Sequence, residues 1–259
     1  MQYDAVIMAG GESSSELKKV APYSNEALII IGSYPMIYYV YSALRATPSI
    51  NNIVVSGPVE SLRNILPRDE RLFFVEGGET AIETFSLGVD ALQGRITSKV
   101  LAVPTDIPFI TPEAIMDFLT SCERTEADVY YPVTSKEVND RKYPGVIRTY
   151  VHLKDGTFTG GNLFLLRTAA LPACMEFGLK VISRRKDPLA IARLFGFGLV
   201  IAYLLGQLSI KLAEKRLYEL TGIRGKGIIS PYAEVGVDVD KPDDLLLAER
   251  YLNGVSFER

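Results

Sequence analysis

Four short apolar segments, each followed within two residues by glycine or proline, most constrain what this chain can fold into. They cover residues 3–8, 52–56, 71–75 and 99–103. Apolar residues at helical spacing lie at 35–44, at 80–92 and from Pro112 onward, where Thr111 is suited to cap the helix. Strands that alternate with helices in this way predict βαβ units, and therefore a parallel sheet with helices on both faces.

After residue 128 the alternation becomes irregular. Further strands are expected at 127–133, 162–166 and 235–240, a helix at 242–252, and two or three helices within 187–220. In that last segment apolar residues such as Leu199 and Leu204 occupy every face, which predicts helices packed among others. We predict a single domain over residues 1–259, an α/β fold with a three-layer, mostly parallel Rossmann-like sheet and a helical insertion at 180–222.

Composition excludes several classes of function. The net charge of −3 gives no basis for a sequence-independent grip on nucleic acid or on anionic membranes. The longest apolar stretch, 194–208, is short for a span and contains three glycines, so a buried helix, no stable membrane insertion and a cytoplasmic location are expected. A single histidine, His152, and two distant cysteines exclude a multi-histidine zinc site and argue against a Ser-His-Asp triad. Chemistry here must depend on carboxylates, backbone amides, lysine or arginine, and a hard metal ion.

Ligands of an open parallel sheet bind beyond the carboxyl ends of its strands. Gly10 and Gly11 follow the first strand, where their backbone amides can approach a phosphate closely, although a plain turn explains such a pair equally well. Asp106 follows the fourth strand between Pro104 and Pro108, and a carboxylate on a stiff loop suits Mg²⁺.

Later segments carry further candidates. Residues 159–162 enter an apolar strand and either approach a sugar or base or form a bulge. Asp238 and Asp240 would face the same side of a strand, so that one caps structure while the other reaches a metal. The basic cluster Arg184-Arg185-Lys186 would bind an anionic acceptor if it lines the cleft, and is otherwise a solvated face.

Taken in order, these segments resemble the MobA-like nucleotidyltransferases, which have the nucleotide-diphospho-sugar transferase (GT-A-like) sheet. Members open with Leu-Ala-Gly-Gly, continue with Lys-x-Leu and Gly-x-Pro-Met, and later carry Gly-Asp-x-Pro-Phe, a Gly-Gly-hydrophobic strand and Asp-x-Asp-x-Pro-x-Asp. The corresponding segments here are 8–11, 26–28, 32–36, 105–109, 160–166 and 238–244. The resemblance covers residues 1–175 and 225–252.

The resemblance implies roles for individual residues. Asp106 and Asp240 would be the two Mg²⁺ ligands. The nucleotide would lie against Ala9, Gly10, Gly11, Glu12, Gly77, Gly78 and Thr105. The acceptor would lie near Gly160, Gly161 and Asn162, with Arg184 and Arg185 adding positive charge. The implied partners are an NTP and a phosphorylated small molecule, and a homodimer is left open.

Two positions depart from the family pattern. Glu12 begins a loop in which members carry a basic residue, and Glu26 stands where a lysine is expected. A carboxylate at that position would repel a triphosphate. We expect Lys18 and Lys19 to fold over the phosphates and supply the missing charge, so that Lys18, Lys19, Glu26 and Asp106 form the catalytic set. Recruitment of a second Mg²⁺ by Glu26 and loss of catalysis are the alternatives.

The predicted function is Mg²⁺-dependent transfer of NMP from an NTP to a phosphorylated small molecule, with release of pyrophosphate. This reaction needs positioning and charge neutralisation more than a nucleophilic side chain. Two alternatives stay open. One is a nucleotide-binding protein with altered catalysis. The other is a nucleotide-sugar-dependent glycosyltransferase on the same fold, which would normally need Asp-x-Asp where residues 105–106 offer one carboxylate.

Overall fold

A computed structural model describes residues 1–184 and 187–257 of the chain. Its strands are β1 (Tyr3–Met8), β2 (Ile30–Ile31), β3 (Tyr34–Pro35), β4 (Ile50–Ser56), β5 (Leu72–Val75), β6 (Lys99–Pro104), β7 (Val129–Ser135), β8 (Val151–Leu153), β9 (Gly156–Gly160), β10 (Phe164–Arg167) and β11 (Gly225–Ser230). Its helices are α1 (Leu17–Val20), α2 (Met36–Ala46), α3 (Val59–Ile65), α4 (Ala81–Asp90), α5 (Pro112–Glu123), α6 (Lys136–Lys142), α7 (Leu171–Ile182), α8 (Pro188–Phe195), α9 (Phe197–Leu204), α10 (Ile210–Thr221) and α11 (Pro242–Leu252).

Nine of the described strands form one sheet in the order β5-β4-β1-β6-β10-β7-β9-β8, with β11 paired to β7. Strands β5, β4, β1 and β6 are parallel neighbours, and β11 is parallel to β7. The antiparallel partners are β10, between β6 and β7, and β9, which pairs with β7 and β8. This mixed but mostly parallel sheet, flanked by helices, confirms the predicted α/β fold class.

Successive side chains of β1 face opposite layers. Ile7 packs in a buried cluster with Phe118 of α5, whereas Val6 packs on the other face with Phe85 of α4. Gly88 allows α4 to lie close to the sheet, since a Cβ there would be 2.3 Å from Cγ1 of Val6. Because a strand alternates its side chains between two faces, β1 is buried on both, and the carboxyl ends of its parallel neighbours meet at one open edge.

The predicted strand at 235–240 is wrong. Residues Ala233–Gly236 form a 3-10 turn, and residues 237–240 continue as irregular backbone. The strand next to β7 is instead β11, whose sequence Gly-Lys-Gly-Ile-Ile-Ser carries a weak strand signal. Pairing along β7, from Gly225 with Val129 to Ser230 with Thr134, gives this segment its extended conformation.

The helices predicted within 187–220 are present as α8, α9 and α10. Helix α10 packs on β11, where a Cβ at Gly227 would meet Ile210 at 2.7 Å. Helix α9 contacts α8, but the expectation of a buried helix is wrong for it, because it has no buried residue and leaves Leu204 75% exposed. Within the described residues, no helix is both long enough and apolar enough to cross a membrane.

Candidate active site

Glycines at the ends of β1, β4 and β5 form a floor that carries almost no side chains. Gly57 follows β4 so close to β1 that an added Cβ would lie 2.6 Å from the carbonyl oxygen of Ala9. Gly77 follows β5 and lies against both neighbours, because a Cβ there would be 3.3 Å from Cα of Gly57 and 3.6 Å from Cα of Gly10. Gly57 is buried by this packing and Gly10 is exposed, so the backbone at Gly10 can approach a flat or anionic group closely.

The start of α4 fixes the far side of this floor. The Gly78 N–H donates to Oγ1 of Thr84 at 3.0 Å, and the Thr84 hydroxyl lies 3.3 Å from the Gly78 carbonyl oxygen. Thr84 also touches Gly10, since a Cβ on that glycine would be 3.3 Å from Oγ1. The structure thus brings Gly10, Gly77 and Gly78 together, and Thr84 is a positioning residue that sequence reasoning missed.

Replacing Gly57 with alanine is expected to lower the free energy of unfolding by about 1–3 kcal/mol, because the end of β1 or β4 must shift. Gly198→Ala is the matched control. No atom lies within 4 Å of a Cβ at that position, so the same change inside α9 should be neutral or slightly stabilising. Urea unfolding followed by circular dichroism measures both, and a Gly57→Ala protein as stable as the wild type would contradict this close packing.

Glu26 lies directly over Gly11. A Cβ at Gly11 would be 2.1 Å from Oε1 of Glu26. The Glu26 N–H donates to the Gly11 carbonyl oxygen at 3.3 Å. Asn25 sets this geometry: its amide donates to the Ala9 carbonyl at 2.8 Å, and its Oδ1 accepts from the Ala27 N–H at 2.9 Å. The Glu26 carboxylate therefore faces the backbone of Gly11, in the loop after β1.

Three carboxylates meet where β6 ends beside residues 237–240. One oxygen from each of Asp106, Asp238 and Asp240 lies within 4.8 Å of the other two. Oδ1 of Asp106 is buried and has no hydrogen-bond partner in the described part of the chain. Several carboxylate oxygens around one unsatisfied atom fit a hard divalent cation such as Mg²⁺. We call these three residues the acidic cluster, and its binding of an ion stays a prediction.

The acidic cluster and Glu26 hold more negative charge than their surroundings balance. Burial, reinforced by the carboxylates of Glu26 and Asp240, raises the pKa of Asp106 to about 8. Burial and then Asp240 raise the pKa of Glu26 to about 7, although the Thr105 hydroxyl opposes this rise. A bound cation would favour the ionised forms of both groups.

Contacts between distant segments hold the acidic cluster in place. The Val239 N–H donates to the Asp106 carbonyl at 2.8 Å, which joins the two loops that carry the carboxylates. The mostly buried guanidinium of Arg148 binds the carboxylate of Asp238 and donates to its carbonyl oxygen at 3.0 Å. Sequence reasoning assigned no role to Arg148, because it is one arginine in an irregular loop and only the fold brings it to Asp238.

The loop after β1 lies beside the acidic cluster. The Ser14 hydroxyl donates to the Asp240 carbonyl at 3.0 Å, which ties the loop to it. Lys18 and Lys19 are both exposed, and the Lys18 ammonium lies 3.8 Å from the carboxylate of Glu12. The structure therefore places two cations on a loop that reaches the candidate site. Their compensation of the missing lysine stays a prediction.

Gly160 ends β9, and Gly161 and Asn162 lie in the break between β9 and β10. The Asn162 N–H donates to the Val235 carbonyl at 2.8 Å, which binds the break to the turn before the acidic cluster. A Cβ at Gly160 would lie 2.0 Å from the Tyr131 hydroxyl, so close packing against Tyr131 explains why this position is glycine. Contact with an acceptor stays a prediction for all three residues.

The basic cluster is only partly described. Arg184 is exposed at the end of α7 and donates to the Lys180 carbonyl at 2.9 Å. In the part of the chain that the structure describes, no hydrogen bond or ion pair joins Arg184 to the acidic cluster, and Arg185 lies outside the described residues. A role for this pair in acceptor binding stays a prediction without structural support.

The sheet order, the glycine floor and the acidic cluster at one edge define a protein of the nucleotide-diphospho-sugar transferase fold. Residues 5–191 match the MobA-like NTP transferase domain. The chain therefore belongs to that family. A search of curated proteins found no match.

Several solved structures are similar over nearly the whole chain. A hypothetical transferase from Thermus thermophilus is 33% identical, with a TM-score of 0.80 over 95% of this chain and 100% of that one. The 2-C-methyl-D-erythritol 4-phosphate cytidylyltransferase from Francisella tularensis is 12% identical, with a TM-score of 0.60 over 96% and 99%. A CMP:2-keto-3-deoxy-manno-octonic acid synthetase in complex with CTP is 15% identical, with a TM-score of 0.57 over 97% and 98%. The last two show a shared fold.

Proposed function

We propose that this protein is a Mg²⁺-dependent nucleotidyltransferase that moves NMP from an NTP to a phosphorylated small molecule and releases pyrophosphate. The observation that carries the proposal is the acidic cluster, with its buried, unpartnered Asp106 oxygen, at the same sheet edge as the glycine floor. Membership of the MobA-like NTP transferase family supports it. A cytoplasmic location, where NTP and Mg²⁺ are available, is part of the proposal.

In the proposed reaction an oxygen of the acceptor phosphate attacks the α-phosphorus of the NTP. The bond from the α-phosphorus to the oxygen bridging to the β-phosphorus breaks, and pyrophosphate leaves with that electron pair. Asp106, Asp238 and Asp240 would hold Mg²⁺, which supplies positive charge against the phosphates. The amides of Gly10 and Gly11 would bind phosphate oxygens of the NTP. The rate of transfer would then depend on how well the acceptor phosphate is positioned for attack on the α-phosphorus.

The direct test is pyrophosphate release with CTP, GTP, UTP and ATP across a panel of sugar phosphates, polyol phosphates and phosphorylated pterins. We expect release that requires both Mg²⁺ and one class of acceptor. CTP is the first nucleotide to try, because one similar structure is a cytidylyltransferase and another is a synthetase in complex with CTP.

Two other results would contradict the proposal. Nucleotide binding without release in the presence of every acceptor would indicate a binding protein with altered catalysis. Sugar transfer from a nucleotide-sugar, with no pyrophosphate from any NTP, would indicate a glycosyltransferase.

A further inference from the structure

Helix α9 presents apolar side chains to solvent. Its large exposed residues, with Leu205 directly after it, are Phe197 at 56%, Ile201 at 56%, Tyr203 at 42%, Leu204 at 75% and Leu205 at 68%. The helix contains no charged residue. A helix that is apolar on all faces is normally buried in protein or in lipid, and an apolar patch of this kind marks an interaction site.

The stretch of sequence that contains α9 is positively charged, although the protein as a whole is acidic. Residues 171–221 contain eight Lys or Arg and four Asp or Glu, which amounts to +4, so the remaining residues carry −7 within the total of −3. Glu176, Glu214 and Glu219 each pair with a lysine. Arg184, two residues after α7, and Arg193, on α8, are exposed. The partner of this surface should therefore be anionic as well as apolar.

A second copy of the chain meets this requirement poorly. A symmetric dimer through α9 would bring the exposed Arg193 on α8 of each copy towards the other copy's positively charged segment, and that repulsion opposes association. A bilayer with anionic headgroups offers the opposite charge next to an apolar layer.

We propose that α9 docks on the surface of a bilayer that contains anionic lipids. Its apolar side chains would lie at the boundary between headgroups and acyl chains, with Arg184 and Arg193 near the headgroups. Surface docking at this depth needs no spanning helix.

Hydrogen bonds connect the segment directly after α9 to the sheet edge that carries the candidate site. The Leu208 carbonyl accepts from the Lys154 N–H at 2.7 Å, and the carboxylate of Asp155 accepts from the Ile210 N–H at 2.7 Å. These contacts lie at the β8–β9 turn, which projects beyond the carboxyl end of β7, since Ser135 pairs with Phe158. Docking would therefore hold this edge of the sheet near the bilayer.

The test uses the full chain and sedimentation with phosphatidylcholine vesicles, with or without phosphatidylglycerol. We expect binding to the anionic vesicles that weakens at high salt. Ile201→Gln/Leu204→Gln should lower the partition coefficient about tenfold or more. Ile229→Gln/Leu246→Gln is the matched control, because those side chains are also exposed, at 56% and 61%, but lie on β11 and α11.

Arg184→Gln/Arg193→Gln should lower binding about tenfold on anionic vesicles only. Circular dichroism checks that every variant is folded, and the assay contains no NTP, so its outcome does not depend on the proposed transfer reaction. Failure of the wild type to bind anionic vesicles, or equal binding by Ile201→Gln/Leu204→Gln, would overturn the proposal. A dimer in light scattering that these two substitutions dissociate would overturn it in favour of a second copy.

Discussion

Replacing Asp106 with asparagine is expected to lower kcat for nucleotidyl transfer about 1000-fold or more and to weaken Mg²⁺ binding strongly. Asp106 supplies the buried, unpartnered oxygen of the acidic cluster. A metal ion contributes several kcal/mol to stabilising transferred charge, and each 1.36 kcal/mol is tenfold in rate. Pyrophosphate release measures the rate, and calorimetric titration with Mg²⁺ measures the affinity.

The effect of Asp106→Asn on Tm distinguishes a functional role of Asp106 from a structural one. The raised pKa of Asp106 means that the folded protein binds its proton more tightly than the unfolded chain, in which the pKa is about 3.9. Stability is therefore lost as the pH rises from about 4 to about 8, because in this range the unfolded chain loses the proton that the folded Asp106 keeps, and asparagine removes this loss. We expect Asp106→Asn to raise Tm at pH 7 without Mg²⁺ while abolishing transfer.

Asp243→Asn is the matched control for this substitution. Asp243 is an exposed carboxylate in the same segment, at the start of α11 and outside the acidic cluster. It should keep near wild-type activity and Mg²⁺ affinity. Full activity in Asp106→Asn would contradict the proposed metal site.

Removing both loop lysines, as Lys18→Ala/Lys19→Ala, is expected to lower kcat/KM about 100-fold. These cations lie on the loop that Ser14 ties to Asp240, and Glu26 stands where the family pattern has a lysine. Loss of one charge-stabilising group from an active site typically costs a factor of this size or more. Steady-state pyrophosphate release and NTP titration measure the two contributions, turnover and affinity.

The control for the lysines is Lys211→Ala/Lys215→Ala, which removes the same charge from exposed positions on α10. Equal effects of the two double substitutions would contradict a local role for the loop. Glu26→Lys distinguishes the alternatives. A large gain from a weakly active parent would indicate that Glu26 has reduced catalysis, and a loss of Mg²⁺ affinity would indicate that Glu26 helps to bind the ion.

The local sequence pattern predicted the parallel strands β1, β4, β5 and β6, but it did not predict β11, the last strand in the chain. Strands β1, β4, β5 and β6 lie within two residues of their predicted bounds, because each is a short apolar run that glycine or proline follows within two residues. Strand β11 was missed, because its glycines and lysine become a strand only when β7 offers a row of unpaired backbone groups. The opposite error at 235–240 has the same origin: alternating side chains there never meet a partner strand.

Net charge describes the whole chain and not its regions. The total of −3 gave no basis for expecting affinity for anionic surfaces, and it combines +4 on residues 171–221 with −7 elsewhere, which is the distribution on which the docking proposal rests. The net charge of the whole chain does not show how charge is distributed between regions that the fold separates. The sequence also did not indicate that α9 is exposed, because the same apolar sequence can form a helix that is buried or one that faces solvent.

The sequence by itself determined the class of fold, the edge of the sheet where the candidate site lies, and two of the carboxylates at that edge. Those features follow from strand periodicity and from motifs that directly follow strands. Only the tertiary structure decided that Asp238 joins Asp106 and Asp240, that Arg148 holds it there, and that Glu26 lies over Gly11. Each of these contacts joins segments far apart in the chain, and no local pattern records which distant backbones a close-packed fold brings within a few ångströms.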